Sequence, residues 1–304
     1  MPGRLNPLAL RRWPQARVFG WMALTLAVTL CHPSPCRSAN SAATPPATPA
    51  ATVRVAGIVL KWLRADKEAN YRRAERWIRQ AAAGGARIVC TTECFLDGYA
   101  IKDKSIPLED YRALGEPIRG GRYFRLLAVL ADELDIYLYL VAGMLEADGP
   151  LRHNTAVILD PRGRLVGKYR KRKLQHELAH NTAGTEPGVF ATEFGKVGLI
   201  ICADRTEPRF VEETRRAGSA FILCPSGGMF GPRSNDPILQ ARSRESGQYI
   251  VFVHPAEFLV TGPDGAICRC QMLGDRLEIA RADIGSPADT QGMFFFDLSA
   301  AGSP

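Results

Sequence analysis

Apolar and polar positions alternate along this chain in blocks. Short runs of Val, Ile and Leu recur, separated by longer stretches in which apolar residues return every three to four positions. "VRVAGIVL" reads as a strand, and "KEANYRRAERWIRQAAAGGA" as an amphipathic helix that a Gly-Gly pair stops. "RIVCTTE" reads as a buried strand ending at Glu93. "GGRYFRLLAVLADELD" is a second helix and "IYLYLVAGML" a further strand. "HNTAVILDPRGRLVGKYRK" predicts two strands joined by a Pro-Arg-Gly turn. "KVGLIICADR" predicts a buried parallel strand that delivers Cys202 to a charged turn. Pro208 opens a helix running to about Ala217, because proline suits a first helical turn. "SAFILCPSGG" and "QYIVFVHPAE" are strands flanking the helix "PILQARSRESG". Strands alternating with helices predict an α/β domain whose helices cover the sheet faces. No repeat of solenoid period is visible.

The first 40 residues break the pattern. They hold five arginines and no acid, followed by the apolar run "VFGWMALTLAVTL". Thirteen residues fit the core of a signal peptide better than a bilayer span. The small residues of "SANSAA" place a cleavage site near Ala39–Ala43, and export to the periplasm or medium is the expectation. An uncleaved anchor and a misassigned start codon are the alternatives. Cys31 raises a lipoprotein reading, against which Leu30 is larger than a lipobox normally allows. "ATPPATPAAT" is a Pro/Ala linker, so residues 41–52 join the leader to a domain over 53–304. The chain of 304 residues is 46% hydrophobic, enough for one large core. Its formal charge of +8 falls to +3 without the five leader arginines, which gives no case for nucleic-acid binding.

Eight cysteines are present, two of them, Cys31 and Cys36, in the leader or at its edge. The other six are not spaced as a disulfide scaffold or a zinc ribbon. Most read as buried thiols. Cys202 has two readings. It is a small core residue, or it is a nucleophile that needs a base and a positive charge nearby. Glu93 at one strand end and Lys171 after a hairpin are placed to supply these, because functional groups of α/β sheets gather at the carboxyl ends of strands. A buried Glu93 would take the thiol proton, and the lysine would hold the oxyanion formed on attack at a C=O or C≡N carbon.

A rival string is "HELAH", His176 to His180, which matches HExxH. On a helix it would set both imidazoles on one face for zinc, with the glutamate polarising a bound water. The context disfavours this. "NTAGTEPG" follows at once, Ala183 stands where the extended metzincin motif has glycine, and neither Glu186 nor Glu193 lies on an obvious second helix as third ligand. The alternative is two surface histidines on a charged loop.

Together the motifs resemble the nitrilase, or carbon–nitrogen hydrolase, superfamily. "TTECFLDGY" is similar to its base motif, "GKYRKRKL" to its lysine motif and "GKVGLIICADR" to its nucleophile motif, and similarity runs from about Val53 to Ile284. The resemblance implies a four-layer α-β-β-α sandwich that commonly dimerises through its sheets. It also implies hydrolysis of a non-peptide C–N bond in a small molecule: an amide, an N-carbamoyl group or, ranked lower, a nitrile. Glu93 would be the base, Lys171 the oxyanion partner and Cys202 the nucleophile. Glu177, seven residues before Gly184, matches the family's second glutamate, which explains the glutamate of HELAH without a metal. The backbone N–H of Ala203 would complete the oxyanion hole. No cofactor is implied. Thr92 replaces the usual proline before the base. The usual arginine four after the nucleophile is Thr206, while Arg205 stands at three and either grips a substrate carboxylate or forms a structural salt bridge. The usual Gly-x-Ser before "GPDG" is absent. A catalytically silent binding module of the same fold is the competing class.

Overall fold

In a computed structural model the structure describes residues 52–134, 139–227, 233–273 and 291–299. The proposed leader, most of the linker, Cys31 and Cys36 lie outside the described residues.

The first sheet contains seven strands: β1 (Thr52–Leu60), β2 (Ile88–Cys90), β3 (Glu116–Pro117), β4 (Tyr139–Asp148), β5 (Leu151–Leu159), β6 (Leu165–Arg170) and β13 (Gln291–Ser299). Their order is β13-β1-β2-β4-β5-β6, with β3 beside β4. The second sheet contains β7 (Gly188–Thr192), β8 (Gly195–Leu199), β9 (Ser219–Pro225), β10 (Tyr249–His254), β11 (Glu257–Thr261) and β12 (Ile267–Met272), ordered β12-β11-β10-β9-β8-β7. Parallel pairs (β1 with β2, β8 with β9, β9 with β10) sit at the centres, and antiparallel hairpins extend the edges.

Strand periodicity builds the layers. In β1, Val53, Val55 and Val59 face one side and pack with Val197, Leu199, Val251 and Phe258 of the second sheet. Ala56, Ile58 and Leu60 face the other side, against Ile78 of α1 (Lys67–Ala83) and Leu127 of α3 (Arg122–Glu133). The second sheet mirrors this. Ile222, Ile250 and Phe252 turn away from the seam toward Val211 of α4 (Pro208–Arg216) and Leu239 of α5 (Asp236–Ser246). Both faces of each sheet are therefore covered, which is why the strands read as continuous apolar runs rather than alternating ones. Gly57 lets the sheets close up, since a Cβ there would strike the Phe258 ring. The result is the expected four-layer α-β-β-α sandwich.

Local signals set the helix ends. Asp66 caps α1 by accepting from the Ala69 N–H at 2.9 Å, and Gly85 at φ +80° follows its end. Pro208 opens α4 as expected. Two strands are shorter than the sequence implied. β2 stops at Cys90, so Glu93 sits on the loop beyond it, and β8 stops at Leu199, three residues before Cys202. The reach past each strand end carries both side chains to the pocket. Strands β7, β11, β12 and β13, and the short α2 (Leu108–Ala113), were not evident from periodicity.

Candidate active site

The pocket is assembled from loops at strand ends. Lys171 follows β6 directly, and its backbone N–H donates to the Asn154 carbonyl of β5 at 2.8 Å. Its ammonium donates to Glu93 Oε1 at 2.7 Å and to Glu177 Oε2 at 2.5 Å. All three side chains are buried, each about 2% exposed or less. Asn154 completes a ring. Its Nδ2 donates to Glu93 Oε1 at 2.7 Å and to Glu177 Oε1 at 2.6 Å. Glu93 Oε2 is buried and accepts no hydrogen bond.

Cys202 opens a five-residue 3₁₀ turn, Cys202–Thr206, with its own φ at +47°. A non-glycine residue in the left-handed region is strained, and the surroundings must over-determine it. Asp204 does this. One carboxylate oxygen accepts from the Ile201 N–H at 3.0 Å and from the Tyr169 hydroxyl at 2.8 Å, and the other from the backbone N–H groups of Arg172 at 3.2 Å and Lys173 at 2.7 Å. One buried side chain thus ties the thiol's turn to the segment that follows Lys171. The backbone N–H of Gly227, just beyond β9, favours the ionised thiol. A Cβ at Gly227 would lie 3.0 Å from Glu93 Oε2, so the open oxygen and the sulfur share one neighbour. Burial pushes the thiol pKa up and the charge of Glu93 adds to this, while Lys171, Arg205 and the Gly227 N–H pull the other way. Burial would lower the Lys171 pKa, but the charges of Glu93, Cys202 and Glu177 outweigh it and hold the amine well above its usual range. Burial also raises Glu177.

The structure therefore brings Glu93, Lys171, Glu177 and Cys202 into one site. Ala203 follows the thiol in the same turn, buried. Arg205 corrects one expectation. It makes no salt bridge among the described residues. Its guanidinium donates to Asn235 Oδ1 and, at 3.6 Å, to Cys202 Sγ, and it lies 5.6 Å from the Phe252 ring centroid. It is a buried cation at the thiol. Asn154 and Asp204 were not singled out from sequence.

The HExxH reading fails on geometry. "HELA" is a four-residue 3₁₀ turn, not an α-helix, and its glutamate is held by Lys171 and Asn154. The two histidines take different neighbours: His176 lies edge-on to Tyr99 and His180 tilts against Tyr111. Burial and the nearby charges of Lys102 and Lys171 lower His176 to about 4. Among the described residues, no three His, Cys, Asp or Glu side chains are grouped to hold a metal.

A buried thiol beside a base, a cation and backbone donors is the equipment of covalent acyl transfer. The sequence profile of the carbon-nitrogen hydrolase family matches residues 51–284, and the chain belongs to that family, enzymes acting on C–N bonds other than peptide bonds. It is similar to a nitrilase of Pyrococcus abyssi, 30% identical over 66% of this chain and 73% of that one. It is similar also to human omega-amidase NIT2, 29% identical over 62% of this chain and 70% of that one. It spans only about half of several plant nitrilases, such as 55% of Arabidopsis thaliana nitrilase 3. Among solved structures, Saccharomyces cerevisiae Nit3 superposes with a TM-score of 0.67 at 22% identity, covering 82% of this chain and 90% of that one. An amidase from Nesterenkonia sp. superposes with a TM-score of 0.66 at 20% identity, covering 82% and 90%.

Proposed function

We propose that the protein hydrolyses an amide or N-carbamoyl C–N bond of a small molecule through a thioester on Cys202. One observation carries this reading. Glu93 Oε1 is occupied by two donors, while its buried Oε2 is open and the charge of Glu93 acts on the Cys202 thiol.

Glu93 Oε2 takes the thiol proton as sulfur attacks the carbonyl carbon. Negative charge then moves to the carbonyl oxygen. Lys171 has three N–H donors, of which the two acids use two. The third and the Ala203 N–H receive the oxyanion. Collapse breaks the C–N bond, and Glu93 returns its proton to the leaving ammonia or amine. Water, deprotonated by Glu93, then attacks the thioester and frees the acid and the thiol. Arg205 fixes positive charge beside the sulfur, and Glu177 keeps the lysine aimed. The amide reading draws support from the omega-amidase and Nesterenkonia amidase to which the chain is similar; a mutant of the latter carries the acetamide moiety of fluoroacetamide on its active site cysteine. The leader composition supports an exported protein, and the family habit a homo-oligomer acting without a cofactor.

The test is ammonia release from panels of amides, N-carbamoyl amino acids and nitriles. Turnover on the first or second panel that Cys202→Ala abolishes and a zinc chelator leaves unchanged supports the reading. Turnover confined to nitriles overturns the substrate class. No turnover on any panel makes the chain a silent binding module.

A further inference from the structure

We propose that Asn154 is a positioning residue that selects which oxygen of Glu93 acts as the base. The inference rests on the hydrolase reading and adds a member to the site that neither the motifs nor the relatives' descriptions assign.

The argument begins with donors and acceptors. Glu93 and Glu177 are two buried acids served by one ammonium. Each would gain from further donors, because water is excluded. Asn154 supplies them from β5. Both acids accept from the same nitrogen, at 2.7 and 2.6 Å, which uses both of its hydrogens. The opposite amide orientation would set Oδ1 against two carboxylate oxygens, a repulsive arrangement unless an acid is protonated. In the orientation present, Oδ1 accepts no bond. The side chain is thus aimed by the acids alone.

The consequence falls on Glu93. Its Oε1 accepts from Lys171 and from Asn154, so any rotation of the carboxylate breaks two charge-assisted bonds. Oε2 is left as the one oxygen of this carboxylate able to receive a proton, and it lies near Gly227, whose N–H favours the ionised thiol. Lysine alone would pull the carboxylate forward but leave its rotation free. Asparagine adds a second donor to the same oxygen from β5, so Oε1 is held from two directions. The amide also favours the ionised acids without adding a charge that would compete with Lys171. The other titratable groups acting on this cluster are Cys202, Asp204 and Arg205 from the nucleophile turn, Tyr99 and Lys102 beyond β2, Tyr111 of α2, Cys94 next to Glu93, and His176 next to Glu177.

The experiment compares Asn154→Leu and Asn154→Asp with the wild type at full length. Wild-type ammonia release is measured first and belongs to the hydrolase reading. In the variants the expected result is a kcat loss of roughly 100-fold for Leu, with KM changed by less than about threefold. The acid limb of the kcat profile should move up by about one pH unit, because loss of the donors favours the neutral acids. Asn154→Asp, which turns the donor into a third acid, should move it further. A purely structural asparagine would lower the melting temperature and leave the limb in place, and that result overturns the proposal. A third arm needs neither variant nor substrate. Neutron diffraction of the deuterated wild type should place one Nδ2 deuteron toward each acid; finding Oδ1 turned to the acids overturns the proposal too.

Discussion

Two buried acids of this protein lie in similar company and do opposite things. Glu146, on β4, accepts from Lys168 and Arg170 of β6 and from the Thr155 hydroxyl at 2.7 Å. Both of its oxygens are used, and the cations reach the surface, 35% and 25% exposed. Glu93 shares a single lysine with a second acid, in a cluster about 2% exposed at most, and keeps one oxygen unpartnered. The first arrangement balances two cations against two acids, since Arg170 also pairs with Asp148 at 2.6 Å, and has no open acceptor. The second has spare negative charge and one open acceptor, in an acid whose charge acts on the thiol. A buried acid with every acceptor filled holds strands together; one left short is held ready for a proton.

Removing the cation on each side separates the two kinds. Lys171→Met leaves two buried acids without a counter-charge. Turnover should fall by at least about 1,000-fold, with about 3–5 kcal/mol lost from stability in urea titration. Lys168→Met leaves Glu146 with Arg170 and should cost about 1 kcal/mol or less, with kcat unchanged. An inactive Lys168 variant of normal stability would dissolve the distinction.

Removing the acid itself sharpens the structural side. Burial would raise Glu146, but its bonds to Arg170, Lys168 and Thr155 bring it to about 2, below the ordinary 4.5. A folded pKa below the unfolded one means that ionised Glu146 stabilises fully above about 4.5. That contribution fades as pH falls toward 2. Glu146→Gln should therefore cost about 3 kcal/mol at pH 7, by the linkage between shift and stability. The difference from wild type should shrink from pH 4.5 downward in denaturant titrations, and a constant difference would refute the assignment. The smallest effects belong to the histidines. His176→Ala with His180→Ala, or a chelator, should leave turnover within about threefold, whereas a metal site would lose about tenfold or more.

The side chains proposed for catalysis were legible because each sits inside a string whose chemistry is local: an acid in "TTECFLDGY", an amine in "GKYRKRKL", a thiol in "IICADR". Asn154 was not, because its meaning arises only across a hairpin. The β5–β6 register pairs Thr155 with Arg170, which sets Asn154 opposite Lys171. Counting back from the Pro-Arg-Gly turn would have shown it, allowing for the irregular pairing at Leu159. Asp204 stood in plain view beside the thiol, but its four bonds reach backbone and hydroxyl groups that a sequence does not place together. The sandwich was readable from its buried central strands. The edge strand β12 was not, since exposure of Cys268, Arg269 and Met272 dilutes its apolar signal.

Glu93 is wedged between main chain from both sheets. A Cβ at Gly143 of β4 would come within 2.5 Å of the Thr92 carbonyl, and one at Gly227 would press on Glu93 itself and on Trp62. Re-engineering for bulkier acyl groups therefore begins with a floor that has no clearance. Room has to be carved elsewhere, and diversity libraries that include positions 143 or 227 will return mostly inert clones.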